Sequence, residues 1–228
     1  TSPATAISGT NTLLNFTNGG IFDNAMMNDL ETAGNAQIST SVVKFGTGSL
    51  AFDGTNSYIP SRFSPNFIFS GDFTIEGWIN PTALPATNSE KWIIGSWNAG
   101  SNLRSFYVIL NDVSGVKNIK FAISPDGTSA SSVSLTAAWT PTVGSWNHFA
   151  IVRSGTTISA YGNGTSLGSI TSSLVNYSGA SQIGIGVDVP GLTAAFYFNG
   201  YIDDLRITKG IARYTSNFTP PGAAFPNQ

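Results

Sequence analysis

The chain has 228 residues, of which 41% are hydrophobic and only 10% are charged, with a formal net charge of −2. This composition is typical of a folded chain with one β-sandwich or two small domains, and it excludes a disordered one. The ten basic residues form no run, which argues against nucleic acid and anionic membranes as partners, and the absence of cysteine excludes disulfides and thiolate chemistry.

Nine short segments predict β-strands, because they alternate or are rich in β-forming residues and most end near Gly, Pro, Asp or Asn. They are residues 49–52, 73–79, 92–94, 106–110, 119–123, 147–152, 158–161, 182–186 and 201–208. Asn163-Gly164 is the strongest hairpin signal, and residues 25–30 are the best helix candidate. Short strands at regular spacing predict an all-β, two-sheet antiparallel β-sandwich of the jelly-roll type.

The second of these segments carries the clearest facial pattern. Phe73, Ile75 and Ile79 share one side of the strand, so we expect them to point into the core. Glu76 and Trp78 then share the other side. Only one face of each strand is buried in a sandwich core, so these two are expected on the face turned away from it.

Five blocks of sequence carry a family resemblance, and they occur in the family's order: residues 44–54, 72–79, 146–153, 161–164 and 200–210. Together they resemble the concanavalin A-like lectin/glucanase superfamily, specifically its LamG-like jelly-roll domains. The resemblance implies a domain over residues 13–220, an N-terminal extension over 1–12 and a Pro/Gly-rich tail over 221–228, which we expect to leave the domain in an extended form. The ending, residues 207–221, resembles that of such domains in bacteriophage and marine-microbial structural proteins.

Glycoside hydrolysis is possible in this superfamily, but the acidic residues do not fit it. The reaction requires two carboxyl groups about 5 to 9.5 Å apart. Asp72 and Glu76 are four residues apart on one strand, or about 13 Å. Asp203 and Asp204 are adjacent and point to opposite faces. His148, the only histidine, is mid-strand, where a packing role is expected rather than a catalytic one.

Calcium is the cofactor that the sequence allows. The loop over residues 22–29 is rich in Asp and Asn, which suits an oxygen-ligated ion, and it contains Asp23. In the family resembled, the first and last strands pair antiparallel, which places Asp203 near that loop. Asp203 shares strand parity with Leu205, so we expect it to face inward and to require a partner. A cation, loop N–H groups and Arg206 are the alternatives.

Glycan binding requires an exposed aromatic ring beside amide and charged hydrogen-bonding groups. One predicted loop, residues 96–104, carries them, and its candidate ligand-binding residues are Trp97, Asn98, Asn102 and Arg104. Trp139 and Tyr177 are further candidates. The alternative is that Trp97 and Trp139 pack under loops.

Three functions follow from this interpretation. The first is a non-enzymatic LamG-like binding module on a phage or microbial surface, which recognises a glycan or a host cell-envelope component. The second is a virion structural or decoration protein, with other virion proteins as partners. The third is a glycoside hydrolase. The first two imply a virion-surface or extracellular location and make a homo-oligomer a candidate assembly.

Overall fold

The structure is a computed structural model, and it describes residues 10–14, 30–180, 182–188 and 196–226. Within these ranges the chain forms fourteen β-strands and a short 3-10 helix, Pro65–Phe67. The strands are β1 (Thr10–Leu14), β2 (Gln37–Ser39), β3 (Ser49–Asp53), β4 (Ile59–Arg62), β5 (Phe73–Pro81), β6 (Glu90–Asn98), β7 (Leu103–Val113), β8 (Val116–Ile123), β9 (Val133–Ala138), β10 (Asn147–Ser154), β11 (Thr157–Gly162), β12 (Thr165–Thr171), β13 (Gln182–Ile185) and β14 (Asn199–Lys209).

Two antiparallel sheets account for all fourteen strands. The eight-stranded sheet has the order β12-β11-β10-β5-β14-β3-β2, and β1 also pairs with β14. The six-stranded sheet has the order β4-β13-β6-β7-β8-β9. The predicted two-sheet β-sandwich and the antiparallel pairing of the first and last strands are therefore confirmed.

All nine strands predicted from the sequence are present, and β1, β2, β4, β9 and β12 are additional. Residues 25–29 of the helix candidate lie outside the described residues. No helix in the described part of the chain is long and apolar enough to span a membrane. β1 begins at Thr10, so residues 10–12, which were predicted to belong to an extension, are part of the sheet.

A single large core lies between the sheets. Phe73, Ile75 and Ile79 are fully buried in it, as the alternation in β5 predicts. Phe73 of the eight-stranded sheet meets Phe121 of the six-stranded sheet, with ring centroids 5.8 Å apart. Contacts of this kind join the two layers and contribute about 0.5–1.5 kcal/mol beyond the area they bury.

The Asn163-Gly164 hairpin forms where the sequence predicts it. Both residues have positive φ, 49° and 80°, as a two-residue turn between right-twisted strands requires. The turn joins β11 to β12, with Gly162 opposite Thr165. A Cβ atom on Gly164 would overlap the carbonyl oxygen of Phe218, so glycine is required there for space as well as for conformation.

The C-terminal segment, residues 210–226, lies against the outer face of the eight-stranded sheet. Tyr214 and Phe218 pack on Tyr161 and its neighbours, and Phe225 is 1% exposed. The expectation that the tail leaves the domain is therefore wrong for the part described, up to residue 226. Glu76 and Trp78 point away from the core as predicted, but this segment and other outer residues bury them, at 0% and 6% exposure.

A β-bulge in β14 changes the direction of Asp203. The pairing with β5 places Asp203 opposite Trp78 and Arg206 opposite Glu76, so the register shifts between them. Asp204 takes a φ of 46° at this point. The bulge inserts one residue and breaks the alternation. The expectation that Asp203 faces inward with Leu205 is therefore wrong, because Asp203 shares the outer face with Trp78.

Candidate functional site

A buried polar network lies between the eight-stranded sheet and the C-terminal segment. Arg206 donates to Oε1 of Glu76 from Nη2 at 2.6 Å and from Nε at 3.0 Å. The hydroxyl of Tyr214 donates to Oε2 at 2.8 Å. His148 Nε2 lies 3.4 Å from Oε2, and the ring packs against Trp78 with centroids 5.1 Å apart. Since Glu76 and His148 are both 0% exposed, the network holds the C-terminal segment and is closed to a ligand.

Carboxyl pKa values in this region shift in opposite directions. Burial alone raises the pKa of Glu76, but the nearby His148 ring and the charge of Arg206 outweigh it, so the pKa is lowered. Burial raises the pKa of Asp203 to about 6 and that of Asp204 to about 7, against hydrogen bonds that lower both. The difference arises because a guanidinium contacts Glu76, whereas Asp203 and Asp204 are held by backbone N–H groups.

Asp203 is satisfied by the protein backbone. Its Oδ2 accepts from the N–H groups of Lys44 and Phe45 at 3.0 and 3.1 Å, and its Oδ1 accepts from Asp204 at 2.9 Å. The loop N–H groups are therefore the partners that the described residues offer to this buried carboxylate. Asp23 lies outside the described residues, so calcium at this pair stays a prediction, and a lower melting temperature in EDTA would support it.

The predicted glycan-binding residues meet at the β6–β7 hairpin. The sequence predicts a single loop over residues 96–104, and this is wrong. β6 continues to Asn98 and β7 begins at Leu103, so only residues 99–102 form the turn. Trp97 and Arg104 are cross-strand partners. The hairpin therefore brings all four predicted residues to one end of the six-stranded sheet.

Three of the four residues shape the hairpin. Asn98 Oδ1 accepts from the N–H of Ser101 at 3.1 Å, and Asn102 takes a φ of 53°. Arg104 donates to Asn102 Oδ1 at 2.8 Å and to the carbonyls of Ala99 and Gly127 at 2.9 and 3.2 Å. These hydrogen bonds give the turn a fixed geometry. Of the four predicted residues, Trp97 is the one whose side chain presents apolar surface to a ligand.

Trp97 is half-buried on the outer face of the six-stranded sheet. Its ring meets Tyr107 edge-on at 4.8 Å, and Tyr107 meets Trp92 at 5.0 Å. We call Trp92, Trp97 and Tyr107 the aromatic cluster. Trp92 and Tyr107 are buried, and the ammonium of Lys120 lies 5.8 Å from the Tyr107 ring centroid. Only Trp97 of the cluster has substantial surface in solvent, and it is held by the two rings beneath it.

Bulges explain why the sequence pattern does not reveal this cluster. Trp92 and Trp97 are five residues apart and would alternate to opposite faces in a regular strand. The register shift between Trp92 and Ile94, where β6 has one extra residue, brings both rings to the same face, and a second shift, after Ser96, adds a residue to β7 instead. Gly95, between them, allows the fit, since a Cβ there would lie 2.8 Å from the Trp92 ring.

The other two aromatic candidates take different positions. Trp139 is half-buried and packs against the main core. Tyr177 is half-buried, and its backbone is bonded to Ser124 and Ser105. Neither belongs to the aromatic cluster.

One cleft contains two carboxylates, Glu90 and Asp112. Hydrolysis would require one of them to carry a proton. Asp112 accepts from Lys117 at 2.5 Å and from two backbone N–H groups. Its hydrogen bond to Lys117, above all, lowers its pKa. The carboxyls with raised pKa values, Asp203 and Asp204, are buried under other segments, and Asp72 accepts from the N–H of Gly155.

Comparison of the sequence with protein families gives one match. A family model described as the concanavalin A-like lectin/glucanases superfamily matches residues 53–212. A search of curated proteins finds no match.

Solved structures with a similar fold include sugar-bound domains. Domain 4 of AbnA, a GH43 extracellular arabinanase from Geobacillus stearothermophilus, in complex with arabinotriose, has a TM-score of 0.64 and 17% identity, over 92% of this chain and 95% of that one. The binding domain of botulinum neurotoxin serotype D/C has a TM-score of 0.63 and 14% identity, over 88% and 48%. The botulinum neurotoxin DC binding domain in complex with SialylT has a TM-score of 0.61. This chain spans about half the length of the neurotoxin domains.

Proposed function

The chain belongs to the concanavalin A-like lectin/glucanases superfamily, and we propose that within it the domain is a non-catalytic carbohydrate-binding module. The glycan would bind on the outer face of the six-stranded sheet, at the β6–β7 hairpin. The observation that carries this proposal is the partly exposed ring of Trp97, supported by Tyr107 and bordered by Arg104 and Asn98.

The hairpin has the physical properties that sugar recognition requires. A pyranose or furanose ring presents an apolar C–H face, which packs on an aromatic ring, and a polar edge, which requires hydrogen-bonding groups. Trp97 offers the ring, and the hairpin places amide and guanidinium groups at its border. Because the turn is already fixed by the hydrogen bonds of Arg104 and Asn98, little order has to be gained on binding.

The fold neighbours support this proposal, because they include domains solved with arabinotriose and with SialylT. The carboxylates support its non-catalytic part. In the cleft that contains Glu90 and Asp112, the hydrogen bond from Lys117 lowers the pKa of Asp112, so Asp112 is not suited to donate a proton there.

We propose a virion-surface or extracellular setting, on the basis of the resemblance of residues 207–221 to phage and marine-microbial domains. A glycan or a host cell-envelope component is then the expected partner, and repeated copies would strengthen weak individual sites. Two further points stay predictions: other virion proteins as partners, and a homo-oligomeric state. Light scattering of the purified chain tests the homo-oligomeric state.

The test is a comparison of two tryptophan variants against a panel of neutral and acidic oligosaccharides, by isothermal titration calorimetry. Trp97→Ala is expected to lower affinity by about 30-fold, the effect of losing an interface hot spot of about 2 kcal/mol. Trp146→Ala, which removes a half-buried ring beside the other sheet, is the matched control and should bind as the wild type does. Equal affinities for Trp97→Ala and the wild type would contradict the proposal.

A further inference from the structure

A second concave site lies on the same sheet as the hairpin, at the opposite end of β6. It is a cleft of about 320 Å³, and its lining residues are Asn88, Ser89, Glu90, Asn111, Asp112 and Phe196. Glu90 begins β6, whereas Trp97 lies next to its end. The two sites are therefore about 20 Å apart at the rise of an extended strand.

Three groups of the cleft have unused binding capacity. Asn111 is 9% exposed, and its Oδ1 has no hydrogen-bond partner in the described part of the chain. Glu90 accepts from Trp92 Nε1 at 2.8 Å through Oε1, and the described residues offer no partner to Oε2. Phe196 is 43% exposed and has a φ of 59°, a backbone conformation that is strained for a residue with a bulky side chain.

The remaining wall of the cleft is rigid. Asp112 Oδ1 accepts from the N–H groups of Asn88 and Gly115 at 3.1 and 2.8 Å, and Oδ2 accepts from Lys117. Asn88 Oδ1 in turn accepts from Ser114 at 2.9 Å. These hydrogen bonds fix Asp112 and Asn88 beside the free acceptors of Asn111 and Glu90. The cleft therefore has its shape before a ligand binds.

We propose that this cleft is a second sugar subsite and that it takes a neutral sugar unit; the inference rests on the proposed carbohydrate-binding function. Asn111 and Glu90 offer acceptors, so the ligand must donate, as a sugar hydroxyl does. Phe196 offers an apolar surface for the C–H face of the same ring. Because Asn111 Oδ1 is buried and unpaired among the lining residues, the cleft favours a ligand that donates a hydrogen bond to it over one that leaves it unbonded.

The charge of the cleft selects against acidic sugars. Its two charged lining residues are both acidic, and the one ion pair that the described residues form with them, from Lys117, is made to Asp112, with a further hydrogen bond to the carbonyl of Pro85. A carboxylated sugar would meet Glu90 with like charge and would add an acceptor where donors are required. Asn111 Oδ1 is shielded from solvent, and the broad terminal torsion of asparagine allows it to turn toward a hydroxyl.

The experiment maps both sites separately by NMR. Neutral probes are arabinotriose, cellotriose and maltotriose, and acidic probes are sialyllactose and trigalacturonic acid. We expect a neutral probe to shift the amide signals of Glu90, Asn111 and Phe196, with at least 10-fold weaker binding of the acidic probes at these signals. Phe196→Ala and Glu90→Gln should each weaken the neutral response at least fivefold. Val143→Ala, at an equally exposed apolar residue, should not.

The two proposals fail in different ways. If Trp97 responds and the three cleft residues respond to no neutral probe, or respond equally in Phe196→Ala, the second subsite is wrong and the proposed function stands. If neither Trp97 nor the cleft responds to any probe, both are overturned. A stronger response of the cleft to acidic than to neutral probes would overturn the selectivity.

Discussion

Buried carboxyl groups make the stability of this domain sensitive to pH and to single substitutions. Glu76 receives a two-point contact from one arginine and a hydrogen bond from a tyrosine, whereas Asp204 accepts from the backbone N–H of Phe225 at 2.7 Å. The contacts of Glu76 favour its charged form. The single backbone hydrogen bond of Asp204 does not offset the cost of removing its carboxylate from water. Each arrangement leads to a separate test.

From the raised pKa of Asp204 we expect the free energy of unfolding to fall as pH rises. Its pKa of about 7 in the folded state lies above the ordinary value of 3.8, so the folded state binds the proton more tightly. The resulting stabilisation is complete below pH 4 and is lost as pH rises through 7, by about 2–4 kcal/mol. Asp204→Asn keeps an acceptor for Phe225 and tolerates the positive φ, so it should reduce this dependence to the smaller contribution of Asp203, whose pKa is raised to about 6.

Urea unfolding of the wild type, Asp204→Asn and Asp72→Asn at pH 4.5 and pH 8 measures the effect. Asp72 lies just before β5, at the end of the same sheet, and its variant should keep the slope of the wild type. A wild-type stability that is equal at the two pH values would contradict the assignment.

We expect removal of the Arg206 guanidinium to cause a large loss of stability. Its guanidinium contacts Glu76 and lies 3.7 Å from the ring centroid of Phe225. Arg206→Met leaves a buried carboxylate with weaker partners, so the free energy of unfolding should fall by about 3–5 kcal/mol. The double variant Glu76→Gln, Arg206→Met should recover part of that loss. Thermal denaturation of both variants measures the two losses of stability. A double variant that is less stable than Arg206→Met alone would argue against the interaction of Glu76 with Arg206.

At the scale of elements, the C-terminal segment behaves as part of the fold. Tyr214 and Phe218 stack with ring centroids 3.5 Å apart, and Phe218 lies 5.7 Å from His148. The segment thereby covers an outer sheet face that would otherwise expose Ala150, Val152 and Tyr161. This explains why one outer face of the sandwich is closed, while the β6–β7 hairpin of the other sheet presents Trp97.

Phe225→Ala tests that closure. The ring is fully buried, so its removal should cost about 3–5 kcal/mol of unfolding free energy. The variant should also bind a dye for exposed apolar surface more strongly. Pro226→Ala, at an exposed neighbour, is the control and should be near neutral. An unchanged melting temperature for Phe225→Ala would show that the segment is not held as described.

At the scale of the whole molecule, periodicity predicts the fold well and the site only in part. The alternation of Phe73, Ile75 and Ile79 and the Asn163-Gly164 turn depend on local geometry, which the sequence displays. The alignment of Trp92 with Trp97 depends on bulges, and Phe196 comes from a distant connection. The position of the tail is not predictable in this way, because Pro and Gly are typical of an extended exit, whereas the burial of Phe225 depends on tertiary contacts.

The most direct test of the account is a co-crystal structure with the tightest-binding oligosaccharide of the panel. The account predicts an intact sugar chain on the outer face of the six-stranded sheet, with one ring stacked on Trp97 and a neutral unit reaching the cleft at Glu90. A sugar bound at the eight-stranded sheet, or a cleaved product in the cleft, would contradict it.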